Sequence, residues 1–130
     1  MKRFLLLPFA LMTVALFLMP SCSDDNDELV SISGSWITNH SVTDVPLRIM
    51  FDCCDGTFRW EPRVETDQHS PSTGSYSFMD EVLRIMDDVD CLDITGVYSA
   101  IIDGDTIEIA VQEDECDPRI VGMTGTWTRE

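Results

Sequence analysis

An all-β fold, a small eight-stranded antiparallel up-and-down barrel, is what this sequence predicts, and three observations carry the expectation. From Gly34 onward apolar residues recur with a period of two, turn dipeptides separate the alternating runs, and no long stretch shows an apolar stripe of helical period. Short consecutive strands of this kind fit a meander closed on itself, because closure removes the sheet edges that invite aggregation. A two-sheet β-sandwich is the alternative arrangement of the same pattern.

The first residues stand apart from that pattern. Lys2 and Arg3 precede an apolar run from Phe4 to Met19, broken by Pro8, shorter than the ~20 residues of a comfortable membrane span. Residues 1–21 therefore read as a secretory signal peptide. Pro20, Ser21 and Cys22 resemble the bacterial lipoprotein box, in which the cysteine is acylated and becomes the first mature residue. That resemblance implies a lipid anchor on Cys22 strong enough for stable membrane attachment. It also implies an outer-membrane, cell-surface location in a bacterial envelope. Ser23-Asp24-Asp25-Asn26-Asp27-Glu28 then reads as an acidic tether with no core-forming residue, similar to the surface-export signal of Bacteroidetes lipoproteins. The expected organisation is a signal over 1–21, the lipidated cysteine and tether over 22–33, and the barrel over 34–130.

Charge narrows the partners. The chain carries 8 basic and 24 acidic residues, a formal net charge of −16. Without Lys2 and Arg3 the balance is six against 24, or −18, and no lysine is left. Such a surface repels phosphate, which excludes nucleic acid and any basic patch for anionic lipid.

Along the barrel, strands are predicted over 34–42, 46–53, 57–62, 73–78, 82–86, 97–102, 106–111 and 121–129. Leu47, Ile49 and Phe51 alternate with Arg48, Met50 and Asp52, and Phe58 and Trp60 alternate with Thr57, Arg59 and Glu61. Tyr76 and Phe78 alternate with Ser75 and Ser77, and Ile107, Ile109 and Val111 alternate with Thr106, Glu108 and Ala110. Each is a strand with one wet face. Asp55-Gly56 and Asp103-Gly104 supply hairpin turns that need positive φ.

Gly34-Ser35-Trp36 resembles the Gly-x-Trp signature of lipocalins. With Phe51 to Phe58 (FDCCDGTF), Gly74-Ser75-Tyr76 and Gly125-Thr126-Trp127-Thr128-Arg129, nearly the whole mature domain is similar to the small lipocalin-like lipoproteins of Bacteroidetes. The resemblance implies an arginine, Arg129, laid against the first-strand Trp36, a cation–π contact worth ~0.5 to 2 kcal/mol. Because the first and last strands of a closed meander are neighbours, Trp36 and Trp127 are expected to meet across the seam. Together Trp36, Trp127 and Arg129 would plug the barrel floor, a structural role.

Strand direction sorts the loops. The tight connections at 54–56, 79–81 and 103–105 share the N-terminal end, and the long ones at 63–72, 87–96 and 112–120 gather at a mouth. Glu65, Asp67, Asp87, Asp88, Asp90, Asp93, Glu113, Asp114, Glu115 and Asp117 fall in those long loops, opposed by Arg63 and Arg119. Asp88, Asp90, Asp93, Glu113, Asp114 and Glu115 are the candidate mouth-binding residues, through steering of a cationic partner or oxygen ligation of a hard cation. No EF-hand spacing is present, and no metal is expected. Cys91 and Cys116 both lie in mouth loops, whereas Cys53 and Cys54 lie at the floor. A disulfide needs Cα atoms within ~7 Å, so Cys91 is predicted to pair with Cys116. Cys53 and Cys54 are left as a strained vicinal bond or a reduced pair.

Catalysis finds no support. His40 and His69 are the only histidines, and neither sits in a nucleophile motif. No cofactor motif is present, and a monomer is expected. Two functional readings remain: a carrier holding a small apolar molecule in the barrel, and a non-catalytic module whose mouth contacts a protein, glycan or cation. Interior volume separates them. Trp36, Phe51, Phe58, Trp60, Tyr76, Phe78 and Trp127 fall on the inward parity, and an eight-stranded barrel is just wide enough for side chains to fill. At most a shallow pocket near the mouth is expected, which favours the second reading.

Overall fold

The structure is a computed structural model that describes residues 32–39, 44–64 and 70–130. The signal peptide, Cys22, most of the tether, His40, Glu65, Asp67 and His69 lie outside the described residues. Eight antiparallel strands form a closed barrel in sequence order: β1 (Gly34–Asn39), β2 (Pro46–Phe51), β3 (Thr57–Pro62), β4 (Ser72–Met79), β5 (Val82–Met86), β6 (Gly96–Asp103), β7 (Thr106–Glu113) and β8 (Gly125–Arg129). Closure is made by β1 and β8, where Trp36 faces Arg129 and Ile37 faces Thr128. The sandwich alternative is thereby excluded.

Alternation decides which side chains go inside. Leu47, Ile49 and Phe51 on β2 and Leu83 and Ile85 on β5 are buried, while the residues between them are not. Opposite charges pair on the wet face of β2 and β3, where Arg48 faces Glu61 with 3.5 Å between their charged atoms. The core is one cluster that includes Trp36, Phe51, Phe58, Tyr76, Phe78, Tyr98 and Trp127. Trp60 packs against it, half-buried. Tyr98 adds an eighth inward aromatic beyond the seven expected, alternating with Ala100 on the inner face of β6. A register shift at Val97/Tyr98 accompanies the opposite change on β7, where Val111, expected inside, is 41% exposed.

Turn geometry agrees with residue type at Gly56 and Gly104, whose φ values are +66° and +58°. The β4–β5 hairpin reaches the same left-handed region with Asp80 and Glu81, at φ 53° and 62°, so carboxylate residues carry a turn that glycine or asparagine would make with less strain.

The main departure lies before β8. Residues 121–124, expected as strand, are not: Asp117–Met123 form a seven-residue helix, α1, and β8 starts at Gly125. Pro118 sits in its first turn, where the missing N–H costs nothing. Asp117 places a negative charge at the same end. The helix lies against the barrel through Met123, which joins the core, and Gly122, where an added Cβ would stand 3.1 Å from the Trp60 ring.

Candidate functional site

Mouth and floor are built differently. At the floor, the Arg129 guanidinium carbon lies 4.1 Å above the centre of the Trp36 ring, and Arg129 Nη1 donates to the Ser33 carbonyl at 2.8 Å. The Trp36 indole N–H donates to the Ile32 carbonyl at 2.8 Å. Both sides of this stack are thus fixed by backbone oxygens. Trp127 is not directly opposite Trp36 across the seam. The β1–β8 register sets Trp36 opposite Arg129, so Trp127 lies farther along β8 toward the mouth, fully buried, with its indole N–H donating to the Met123 carbonyl of α1 at 3.0 Å. It joins barrel to helix.

Also at this end, Asp52, Cys53 and Cys54 bring ligand-type atoms within 4.8 Å of one another, the one such group among the described residues. Asp52 Oδ1 already accepts the Cys54 N–H at 2.8 Å, as its turn requires. The two sulfurs stand 3.1 Å apart, well beyond the ~2.05 Å of a vicinal disulfide, and Cys54 is itself disulfide-bonded, so neither the vicinal bond nor the reduced pair expected from the sequence is formed. Tyr76 donates to the Asp52 carbonyl, and burial, with the negative groups of Cys53, Asp52 and Asp55 nearby, pushes its hydroxyl up to about 12.

The mouth is organised around Arg119. This side chain, 3% exposed, projects from α1 into the end of the barrel. Its Nε donates to Asp114 Oδ2 at 2.7 Å and its Nη2 to Asp114 Oδ1 at 2.8 Å, a bidentate pair. Nη2 also donates to the Ile94 carbonyl at 2.9 Å. Asp114 further accepts the Tyr98 hydroxyl and the Cys116 N–H. Burial by itself would raise the Asp114 carboxyl, but the bonds from Arg119, Tyr98 and Cys116 outweigh it and hold the group below the usual carboxylate range. Tyr98 moves up, through burial first and its bond to Asp114 second. Gly96 makes the arrangement possible, because a Cβ there would collide with the Asp114 carboxylate and the Tyr98 ring.

Asp88 forms the second half of the network. Its Oδ1 accepts from Ser72 Oγ at 2.5 Å and from the Asp90 N–H at 3.0 Å, and its Oδ2 lies 3.6 Å from Arg119 Nη1. Gly74 lets the chain pass here, since a Cβ would stand 2.6 Å from the Met86 carbonyl and 3.0 Å from Asp88 Cα.

These contacts correct the expected acidic rim. Asp88 and Asp114 do not stand in a solvated rim but are buried against one arginine, because two carboxylates so placed need a cation and donors to be tolerated away from water, and Asp88 also lines a cavity at the mouth. Asp90, Asp93, Glu113 and Glu115 remain exposed. Arg63, expected to oppose them, reaches Glu130 at 3.6 Å instead, beside the Arg48–Glu130 pair at 2.6 Å.

Cys91 and Cys116 are joined, with 6.0 Å between their Cα atoms. The bridge ties the β5–β6 loop to the residue preceding α1, next to the Arg119 network. With the two cysteines 25 positions apart in the chain, replacing both by serine should lower the unfolding free energy by about 2 to 4 kcal/mol. A urea midpoint unchanged by the double substitution would show that the bridge constrains nothing.

Between α1, β3 and the β5–β6 loop lies a half-enclosed cavity of about 150 Å³. Phe58 and Trp60 form one wall, Pro118, Gly122 and Met123 another, and Ser72, Asp88 and Arg119 the polar end. A wider depression of about 510 Å³ lies open on the wall around β2, β3 and β4, with Met50, Arg59 and Thr73 in its surface. Sequence reasoning placed Arg119 in the mouth as a cation opposing the acids but missed its burial and its pairing with Asp114, and it missed Tyr98, Ser72 and the role of Trp60. The one signal was a lone arginine three residues after Cys116 in an acidic loop. Comparison with known proteins finds no matching protein-family model, no similar curated protein and no similar solved structure.

Proposed function

We propose that this chain is a non-catalytic surface lipoprotein, anchored to a bacterial outer membrane through Cys22, whose barrel mouth is a binding module for a small molecule or for the tip of a larger partner. The observation that carries the binding half is the half-enclosed cavity beside the disulfide-tied loops, lined by aromatic and aliphatic groups together with Ser72, Asp88 and Arg119. Binding sites combine an apolar lining with a few placed polar groups in this way. Side chains occupy the barrel below it, from Tyr98 and Trp127 down to Trp36, Phe51 and Tyr76. A carrier would need ~300 Å³ or more in that interior, and this packing favours the mouth over the interior as the binding site. Val64, Val89, Leu92 and Val121 stand exposed on mouth segments beside Asp90, Asp93, Glu113 and Glu115, which suits contact with a partially apolar partner. The resemblance to lipocalin-like lipoproteins adds the envelope setting.

The three tryptophans make the proposal testable. Screening fragment-sized probes against the full chain by NMR should give ligands that move the Trp60 indole N–H. The Trp36 and Trp127 signals, locked to the Ile32 and Met123 carbonyls, should stay in place. Ligands that shift Trp36 and leave Trp60 alone would establish the interior carrier instead. A diverse panel with no hit at Trp60 would overturn the mouth site.

A further inference from the structure

Arg119 leaves one nitrogen uncommitted. Its Nε and Nη2 are hydrogen-bonded to Asp114 and the Ile94 carbonyl, whereas Nη1 is buried and has no hydrogen-bond partner among the described residues. Nη1 lies 3.6 Å from Asp88 Oδ2, close enough for ion-pair attraction but too far for a hydrogen bond. Both residues line the mouth cavity. A buried donor without a partner is costly, so whatever completes this pair is favoured.

The neighbouring charges select what can complete it. An anion would be attracted by Arg119 but repelled by Asp88, by Asp114 on the far side of the guanidinium, and by Asp90 at the cavity edge. An ammonium group would meet Nη1, itself a cationic donor. A hydrocarbon would leave both Nη1 and Asp88 Oδ2 unmet. A neutral hydroxyl satisfies both, because it accepts from Nη1 while donating its proton to Oδ2. The rest of the cavity wants a ring: Trp60 and Phe58 offer aromatic surface, Gly122 packs against Trp60, and Met123 and Pro118 close the opposite wall. About 150 Å³ is room for a monocyclic molecule and well below the ~300 Å³ of a drug-sized site.

We propose that the mouth cavity binds a small neutral monocyclic alcohol of the phenol type, its hydroxyl bridging Arg119 Nη1 and Asp88 Oδ2 and its ring lying against Trp60. This assignment rests on the mouth-site reading above and adds the ligand's chemistry to it. Four near-isosteric probes, titrated into the full chain near neutral pH, separate the two. With the Trp60 indole N–H as reporter, p-cresol should bind at least about tenfold more tightly than toluene, the equivalent of ~1.4 kcal/mol for the hydroxyl. The anion 4-methylbenzoate should bind more weakly than p-cresol by a similar factor. Trp60→Ala should weaken p-cresol about tenfold. Trp60→Phe, which keeps an aromatic wall, should retain most of the affinity and guards against a folding defect in the first variant.

Equal binding of toluene and p-cresol would overturn the bridge and leave the mouth site standing. Tighter binding of 4-methylbenzoate would overturn the neutral-ligand assignment. Tighter binding of the fourth probe, 4-methylbenzamide, would overturn the hydroxyl in favour of a carboxamide. Failure of all four at Trp60, with water alone satisfying Nη1, would overturn the ligand assignment; the wider fragment panel then decides the mouth site separately.

Discussion

Replacing Arg119 with methionine should destabilise the domain by about 3 to 5 kcal/mol, measured by urea unfolding near neutral pH. Methionine matches the aliphatic stem but leaves Asp114, whose side chain is fully buried, and Asp88 without their shared cation. Removing one partner of a buried ion pair costs that much because the remaining charge stays desolvated. The pH dependence identifies the cause. In the native protein Asp114 is held below the usual carboxylate range. Its contribution to stability is therefore complete above the unfolded-state value of ~3.9 and is withdrawn as pH falls through the lower folded value. In the Arg119→Met variant only the bonds from Tyr98 and Cys116 remain to hold that carboxyl down, and burial, no longer offset by a cation, favours its neutral form. The stability gap between the two proteins should accordingly narrow below about pH 4. A gap of constant size across the acid range would show that lost packing, and not the charge, is responsible.

Trp36→Ala should cost a similar amount, about 3 to 5 kcal/mol, as large-to-small changes of a buried tryptophan do. Trp36 is fully buried, and its removal also takes away the surface on which Arg129 rests and the bond to the Ile32 carbonyl. Trp36→Phe should recover a good part of the loss, since a smaller ring still fills the floor and faces the guanidinium. Calorimetric melting of the pair measures this directly. An alanine variant within about 1 kcal/mol of the parent would mean that the floor is not a structural plug. Because Trp36 and Arg119 sit at opposite ends with no contact shown between them, the two losses should add.

The strands were legible because each needs only a local alternation, and Leu47, Ile49 and Phe51 or Ile107 and Ile109 display it without help from distant residues. The aromatic filling of the barrel followed from that parity. α1 was not legible: a helix of seven residues is too short to show a periodic stripe, and Ile120, Val121 and Met123 read equally well as the start of β8. Nor was the division among the mouth acids. Asp88 and Asp90 are chemically identical in the sequence, and only the approach of Arg119 from another segment makes one a buried partner and leaves the other in solvent. The same holds for Gly74 and Gly96, which look like ordinary strand glycines until the Asp88 backbone and the Asp114 carboxylate are seen pressed against them. Disulfide pairing was readable because sorting loops to one end is a property of strand direction and demands no side-chain detail.

The seam between β1 and β8 has a kinetic consequence. Arg129 donates to a carbonyl 96 positions earlier, at Ser33, and β8 supplies the neighbour that both β1 and β7 need. No partial chain lacking those residues can close the ring, so a polypeptide emerging N-terminus first must keep two unpaired strand margins until residue 129 arrives. Pairings that span such distances are slow to form. Until then the exposed margins are open to chaperones and to other unfinished chains alike, and folding becomes a race decided at the last strand.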